Sequence, residues 1–574
     1  MKNYKKILAE TILSSGVELE LDEIEAMIEA PKDETMGDYA FPCFRLAKVL
    51  RKAPQIIAEE LAKNLIENSI FDKVENVGGY VNVHIPRADF ISGVIDKFAE
   101  EGEKFFESNE GNGKKVIVEF SSPNIAKPFH IGHIRSTVIG NSINNLYKTM
   151  GYDVVRINHL GDYGTQFGKM ICAYRKWGNE EDVKAEPIKT LLKYYTKFHE
   201  EAEKNPELED EAREIFVKLE NGEKEEVALW QWFRDESLKE FSRVYNMLGI
   251  EFDSYAGESF YSDKMDAVLD ELNAKNLLEE SKGAMIVDLE KYDMTPALVK
   301  KSDGSTLYIT RDIAAAIYRK NTYDFYKNIY VVASQQNLHF QQWFKIIELM
   351  GYDWAKDCYH VPFGLVSLKE GTMSTRKGRV VFLEDVLNGA VEKTKTIIEE
   401  KGVSTEDIDE VSKKVGIGAV VFNELANNRI KDYVFDWDKV LNFDGETGPY
   451  VQYTYARGCS LMRKAGEKIC ENIKANPLEY IDCSLISDDE SFAVVKLIYN
   501  MNNVIKDATD KHEPSVLTRY IVDIAQAFNR FYNKKRVVVE DEKQTASNIA
   551  IVYLATCAIK KGLSILGIEA PERM

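Results

Sequence analysis

Apolar residues recur at helical spacing over residues 2–14 and 22–30, which predicts two amphipathic helices. A glycine-containing turn, Thr35-Met-Gly-Asp-Tyr-Ala40, follows. Leu46 to Leu65 is again helical, and Pro54, with no N–H to donate, marks a helix start or break inside it. Val77-Gly-Gly-Tyr-Val-Asn-Val-His-Ile85 alternates at period two and reads as a strand after a Gly-Gly turn. The charged stretch Glu101 to Lys114, with Glu110-Gly-Asn-Gly113, reads as a linker, so residues 1–105 form a small α+β domain.

The pattern changes at Lys115-Val-Ile-Val-Glu-Phe120, a short apolar run that suits a buried parallel strand. A loop runs to about His130. Ile134 to Met150 then carries a helical apolar stripe, and Val154-Val-Arg-Ile157 is a second strand. Strand, helix and strand in one short stretch make a βαβ unit. A second set follows late in the chain: Ile329-Tyr-Val-Val332, a helix from Ser334 to Met350, and a strand around Tyr359 to Leu368. The two sets predict a Rossmann-like, doubly wound parallel sheet over residues 106–404, with a helical insertion around 170–290. From residue 405 to 574 the pattern is helical with no clear strand, an all-α bundle.

Composition narrows the class. With 34 Gly, 14 Pro, 44% hydrophobic and 29% charged residues, the 574-residue chain is neither collagen-like nor disordered. No run of about 18 consecutive apolar residues is present, so no membrane contact is expected. The N-terminus lacks the apolar core of a secretory signal. Seven scattered cysteines without a C-x-x-C pair argue against a disulfide framework or structural zinc, and for the cytoplasm. The net charge of −20 falls entirely on residues 1–410, with 52 basic against 72 acidic residues; 411–574 balance at 22 each. Nucleic acid is not attracted to such a chain by net charge, so any contact needs local basic and aromatic patches, and the neutral C-terminal third is the permissive place.

Chemistry concentrates between the first strand of the sheet and its helix, in Glu119-Phe-Ser-Ser-Pro-Asn-Ile-Ala-Lys-Pro-Phe-His130-Ile-Gly-His133. Ligands of open α/β sheets bind at the carboxyl ends of strands. Gly132 lets a nucleotide approach the backbone at a helix N-terminus, whose partial positive charge favours phosphate. His130 and His133 add donors.

His-Ile-Gly-His resembles the signature of class I aminoacyl-tRNA synthetases, and the residues around it resemble the arginyl-tRNA synthetase family. Asn158-His-Leu-Gly-Asp-Tyr-Gly-Thr-Gln-Phe-Gly168, Leu307-Tyr-Ile-Thr-Arg-Asp312, Phe435-Asp-Trp-Asp438, Gly448-Pro-Tyr-Val-Gln-Tyr-Thr-Tyr-Ala-Arg457 and the terminus Leu566 to Met574 carry the same likeness, which is weakest over 170–290. The resemblance implies ATP-dependent activation of L-arginine and transfer to the 3′ end of tRNA(Arg), with Mg²⁺ accompanying ATP, no structural metal, and a monomer. A non-catalytic tRNA-binding relative, or a synthetase for another amino acid, is the alternative.

The second class I signature, Lys-Met-Ser-Lys-Ser, is matched by Thr372-Met-Ser-Thr-Arg376, so both signature lysines are absent. Met373, Ser374, Thr375 and Arg376 are the expected ATP contacts of that loop, and Arg376, Lys377 and Arg379 the expected cations for departing pyrophosphate. Lys127 is a further cation; the resemblance implies that a lysine there compensates for the missing one.

For a guanidinium, the chemistry requires carboxylates in a dry pocket. Glu119 ends its strand, and Asp312 lies one helical turn after Tyr308, whose ring can pack on the planar cation. The resemblance places Glu119, Ser122, Asn124, His130, Tyr308, Asp312 and Gln336 around arginine. A neutral side chain would leave Glu119 and Asp312 as two unpaired buried charges, which disfavours another amino acid. His339 is an ATP candidate or a structural histidine, and His360 reads as a structural histidine. Tyr450, Tyr453 and Arg457 lie at i, i+3 and i+7, one helical face, with Gln452 beside it. Such residues stack on and hydrogen-bond unpaired bases, and the resemblance assigns this bundle, with Met574, to the anticodon and the N-terminal domain to the tRNA corner.

Overall fold

The structure, a computed structural model, describes residues 2–17, 19–31, 33–67, 70–301, 308–367, 381–400, 407–442 and 445–574. It divides into two compact units.

The first unit comprises 1–105, 458–500 and 526–557. Its three strands, β1 (Tyr39–Pro42), β2 (Lys73–Val77) and β3 (Tyr80–His84), form an antiparallel sheet in the order β1-β3-β2. Gly78 and Gly79 join β2 to β3 at φ +59° and +94°, a conformation that side chains resist. β2 was not legible in the sequence because its mixed, half-exposed positions do not alternate. Pro54 starts a new helix, Pro54–Glu67, rather than kinking one. Within the stretch read as a linker, Phe105, Phe106 and Gly111 are buried and most of the other residues are exposed.

The second unit comprises 106–457, 501–525 and 558–574. Its centre is an all-parallel sheet of β4 (Lys115–Glu119), β5 (Asp153–Ile157), β9 (Lys327–Ala333) and β10 (Cys358–Phe363), in the order β10-β9-β4-β5. The chain leaves β4 toward β5 on one side and returns later to β9 on the other, so the order reverses between β4 and β9. At such a point the loops diverge and leave a crevice. The helix Ile134–Thr149 crosses from β4 to β5, buried over most of its residues.

The insertion is helical, as its pattern indicates, from Thr165–Trp177 to Lys224–Leu248. It ends in an unforeseen antiparallel sheet, β6 (Glu279–Ser281), β7 (Ala284–Val287) and β8 (Ala297–Lys300). Strands this short give no periodic signal. The late strand expected to run to Leu368 ends at Phe363; β11 (Val366–Ser367) then pairs in parallel with β12 (Tyr433–Val434). Among the described residues after 405, β12 is the one strand, two residues long, where no clear strand was expected. The helix Glu542–Ile565 is long and apolar enough to cross a membrane by length and composition, which a search for unbroken apolar runs overlooks, and 72% of its apolar window is buried in the protein.

Candidate active site

Backbone geometry builds the turn after β4. Ser121, Ser122 and Ala126 take φ of +69°, +47° and +57°, strained values for residues with a side chain. Side-chain bonds hold them there. Ser121 N donates to Ser136 Oγ at 2.8 Å, and its hydroxyl meets Thr137 Oγ1 and Tyr245 OH, each at 2.8 Å. Ser136 in turn donates to the Val331 carbonyl of β9. Close packing completes the turn. A Cβ at Gly140 would lie 2.1 Å from Phe120, and one at Gly161 2.3 Å from Asn124 Oδ1.

The two signature histidines cap their own turn. His130 Nδ1 accepts from Gly132 N at 3.0 Å, and His133 Nδ1 accepts from His130 N at 3.1 Å. Burial pushes the His130 ring down to about 4 and the His133 ring well below its ordinary value. Both rings are therefore neutral at pH 7. His133 Nδ1 also lies 3.2 Å from the His130 carbonyl, but the His130 N–H aimed at it requires a lone pair there. With each Nδ1 accepting, the proton of each sits on Nε2. Two Nε2–H donors thus stand at the start of the Ile134–Thr149 helix, with Gly132 between them.

Neighbouring segments lock onto this turn. Ile131 N donates to Val381 O at 3.1 Å and Leu383 N to Phe129 O at 2.9 Å. Arg135 forms a fully buried ion pair with Glu424 at 2.6 Å and donates to the carbonyls of Gly364 and Lys431, which precede β11 and β12. The second-signature residues Thr372, Met373, Ser374, Thr375, Arg376, Lys377 and Arg379 lie outside the described residues. Lys127 reaches Gln166 Oε1 at 3.4 Å and lies 5.9 Å from the Tyr195 ring centre.

Four buried or half-buried carboxylates gather beside the turn. Glu119 pairs with Arg319 at 2.6 Å. Asp162 takes Arg234 at 3.3 Å and two bonds from Ser259. Glu258 pairs with Arg311 at 3.2 Å. Asp312 meets His339 Nε2 at 2.5 Å. Burial, with Asp312 and Asp162 adding like charge against the pull of Arg311, pushes the Glu258 carboxyl up to about 7. Sequence reading missed Glu258, which lies where the family likeness is weakest and in no periodic pattern. It also missed Arg319, although that residue falls two turns after Asp312 on one helix.

These pairings revise several expectations. Glu119 is not an unpaired charge awaiting a ligand, because Arg319 already neutralises it; the argument from two unpaired carboxylates reduces to Asp312. His339 engages Asp312. Tyr308 is 61% exposed, its ring centre 5.7 Å from the Arg311 guanidinium carbon. Ser122 Oγ accepts from His159 N at 3.2 Å, and Asn124 bridges to Gly161. Gln336 is exposed at the end of the short helix Ser334–Gln336. His360 is structural: it meets the Val332 carbonyl at 2.9 Å and stacks on Phe340 at 4.1 Å.

On the helix Gly448–Ala465, Tyr453 is 44% exposed, with the Arg457 guanidinium 4.9 Å from its ring centre, and Tyr450 is half-buried. Gln452 departs from the expected RNA face. It is fully buried, and its amide donates to the carbonyls of Lys414 at 3.0 Å and Glu569 at 2.7 Å. Met574 packs against Ile398, Val411 and Val415.

Comparison with known proteins agrees with this arrangement. The family described as tRNA synthetases class I (R), catalytic domain, matches residues 95–437. The DALR anticodon binding domain matches 451–574, and the arginyl tRNA synthetase N terminal domain matches 2–85. The arginine--tRNA ligases of Halothermothrix orenii and Clostridioides difficile are each 57% identical over 574 residues, covering all of both chains. The arginyl-tRNA synthetase structure from Plasmodium falciparum is 26% identical with a TM-score of 0.78, covering 100% of this chain and 98% of that one. The Thermus thermophilus arginyl-tRNA synthetase, at 23% identity and a TM-score of 0.80, covers 100% and 99% and shares the fold. A class I catalytic match across most of the central region, and relatives this similar from end to end, make the chain a member of the arginyl-tRNA synthetase family.

Proposed function

We propose that the turn between β4 and its helix is where ATP and arginine meet. The chain is an arginine--tRNA ligase, an enzyme of two steps. The observation that carries the site reading is the capping of His130 and His133 through Nδ1, which leaves both Nε2–H groups for phosphate. In the first step a carboxylate oxygen of arginine attacks the α-phosphorus of ATP, which enters with its magnesium. The bond from that phosphorus to the bridging oxygen breaks, and pyrophosphate leaves. No side chain needs to take a proton, so the protein contributes positioning and charge stabilisation. His130, His133 and Gly132 at the helix start face the phosphates, with Lys127 and the loop residues Arg376 and Lys377 adding cations. Glu119, Ser122, Asn124 and Gln336 surround the amino acid, and Asp312 and Glu258 its guanidinium, with Tyr308 turning onto that plane. In the second step a ribose hydroxyl at the tRNA 3′ end takes the arginyl group and AMP leaves.

The C-terminal bundle reads tRNA through Tyr453, Arg457 and Tyr450, and the N-terminal domain contacts the tRNA corner. The seven free cysteines fit a reducing cytosol. ATP–pyrophosphate exchange with each of the twenty amino acids, with and without total tRNA, tests the reading. Exchange with arginine alone is expected. Exchange with another amino acid overturns the pocket, and no exchange from folded protein favours a non-catalytic tRNA binder.

A further inference from the structure

We propose that Arg319 is a positioning residue of the amino-acid site: it anchors Glu119 where three neighbouring strands end, and so sets where that carboxylate meets the substrate. The proposal rests on the reading of Glu119 as an arginine contact.

Arg319 belongs to the helix Tyr308–Tyr323. Tyr308, Asp312 and Arg319 stand at i, i+4 and i+11, which is one face of a helix. Tyr308 is exposed, Asp312 half-buried and Arg319 fully buried, so this face runs from the mouth of the site to its floor. There the guanidinium reaches three parallel strands at once. Nη2 lies 2.6 Å from Glu119 Oε2, at the end of β4. The same nitrogen lies 3.4 Å from Nδ1 of His159, just past the end of β5. The guanidinium carbon lies 5.5 Å from the ring centre of Tyr330 on β9. The contacts are level with one another, because Glu119 is in register with Ile157 of β5 and with Tyr330 of β9.

Glu119 has no second anchor. Among the described residues, no other group forms an ion pair or a hydrogen bond with its carboxylate. The two partners also differ in exposure, 0% for the Arg319 side chain against 8% for that of Glu119. What remains open of Glu119 is therefore turned away from its anchor. A pair that served the core alone would be sealed on both sides, and this one is sealed on one.

A glutamate side chain at a strand end can occupy several rotamers. Each rotamer given up on binding costs affinity. A guanidinium is always charged and can only donate, and its rigid fork fixes the acceptors around it. With one nitrogen between Glu119 and His159, Arg319 settles the carboxylate before the substrate arrives. The precision of the site then comes from a residue that the substrate never touches.

ATP–pyrophosphate exchange, with arginine and ATP varied in turn, tests this on Glu119→Gln, Arg319→Lys and the double variant, with thermal unfolding followed in parallel. Arg319→Lys keeps the charge and loses the fork. Each single substitution should raise the arginine KM about tenfold and hold the ATP KM within about twofold. The double variant should match Glu119→Gln within about twofold, because Arg319 acts through the carboxylate already lost. Effects that multiply in the double variant overturn the proposal, as do equal rises in the two KM values; either marks a purely structural pair. An arginine KM unchanged by Arg319→Lys overturns it as well. Disturbing a buried pair is costly to stability. Should Arg319→Lys unfold early, Tyr261→Phe takes its place, since it removes only a hydroxyl that acts on Arg319. Its arginine KM should then rise about threefold, the scale of one neutral hydrogen bond, and not at all in the Glu119→Gln background. No rise, or the same rise in both backgrounds, overturns the proposal. An arginine KM unchanged by Glu119→Gln alone refutes the placing of Glu119 itself, and the role of Arg319 falls with it.

Discussion

The signature turn and the Gly448–Ala465 helix hold their candidate ligand groups in opposite ways. In the turn, the groups that matter are fixed by backbone contacts. The Nδ1 atoms of His130 and His133 are spent on backbone N–H groups, and what remains for a ligand follows from that. On the helix, spacing alone places Tyr450, Gln452, Tyr453 and Arg457 near one another, and packing then separates them. Tyr453 is exposed and Gln452 is fully buried. A motif whose side chains bond their own backbone keeps its meaning in the folded chain. A motif defined by spacing on a helix acquires its meaning only from what covers the helix.

The sharpest way to break this contrast is His133→Asn. The amide oxygen can still cap the turn, but the Nε2 donor is gone. Arginine-dependent pyrophosphate exchange should fall by about 10²–10³-fold, the usual cost of one preorganised donor, with thermal unfolding unchanged. A loss of stability with the rate preserved would make the histidines caps only.

The next effect is one of sign. Glu258 and His130 lie in the same site with displaced pKa values and opposite consequences. The folded Glu258 carboxyl titrates near 7 against an ordinary 4.5, so folding takes up a proton between these values and stability falls as pH rises through them. The group accounts for up to about 3 kcal/mol, and Glu258→Gln should remove that slope. His130, held near 4 against 6.5, acts the other way: stability rises with pH across that window, and His130→Asn should flatten the rise. Urea unfolding at pH 4, 5.5 and 7 separates the two. A slope unchanged by either variant would show that the site's burial is looser than described.

Two smaller effects test the helix. Gln452→Ala strips hydrogen bonds from the buried carbonyls of Lys414 and Glu569 and should cost about 2 kcal/mol of stability while leaving tRNA affinity alone. Tyr453→Ala should do the reverse, weakening tRNA binding about tenfold, within the range for one stacked base, with stability shifted by less than about 0.5 kcal/mol. Filter binding and thermal unfolding on both variants decide. If both behaved alike, exposure would not be what divides the face.

Much of the fold was legible because its elements are long or strongly patterned. The βαβ unit around β4 shows as an apolar run, a stripe and a second run. β2, β6, β7 and β8 did not show, because strands of three to five residues with mixed exposure carry no period. In the site, the turn was legible down to single residues. The ion pairs were not. Arg319 lies 200 residues from Glu119, and Glu258 lies 53 from Arg311, so nothing local announces either pair. The contact of His339 with Asp312 was not legible for the same reason: its partner belongs to another helix.

The left-handed residues of the turn bear on how such a chain could evolve. Ser121, Ser122 and Ala126 each hold a conformation that costs a side-chain-bearing residue about 1 kcal/mol, and glycine would adopt it freely. Selection for heat resistance therefore has a cheap step at Ala126, whereas glycine at 121 or 122 would give up the hydroxyl bonds to Thr137, Tyr245 and the His159 N–H. That step would also widen the range of shapes the turn samples, at the one place where two imidazole donors must stay aimed. Adaptation to temperature and retention of speed compete, in this turn, over Ala126.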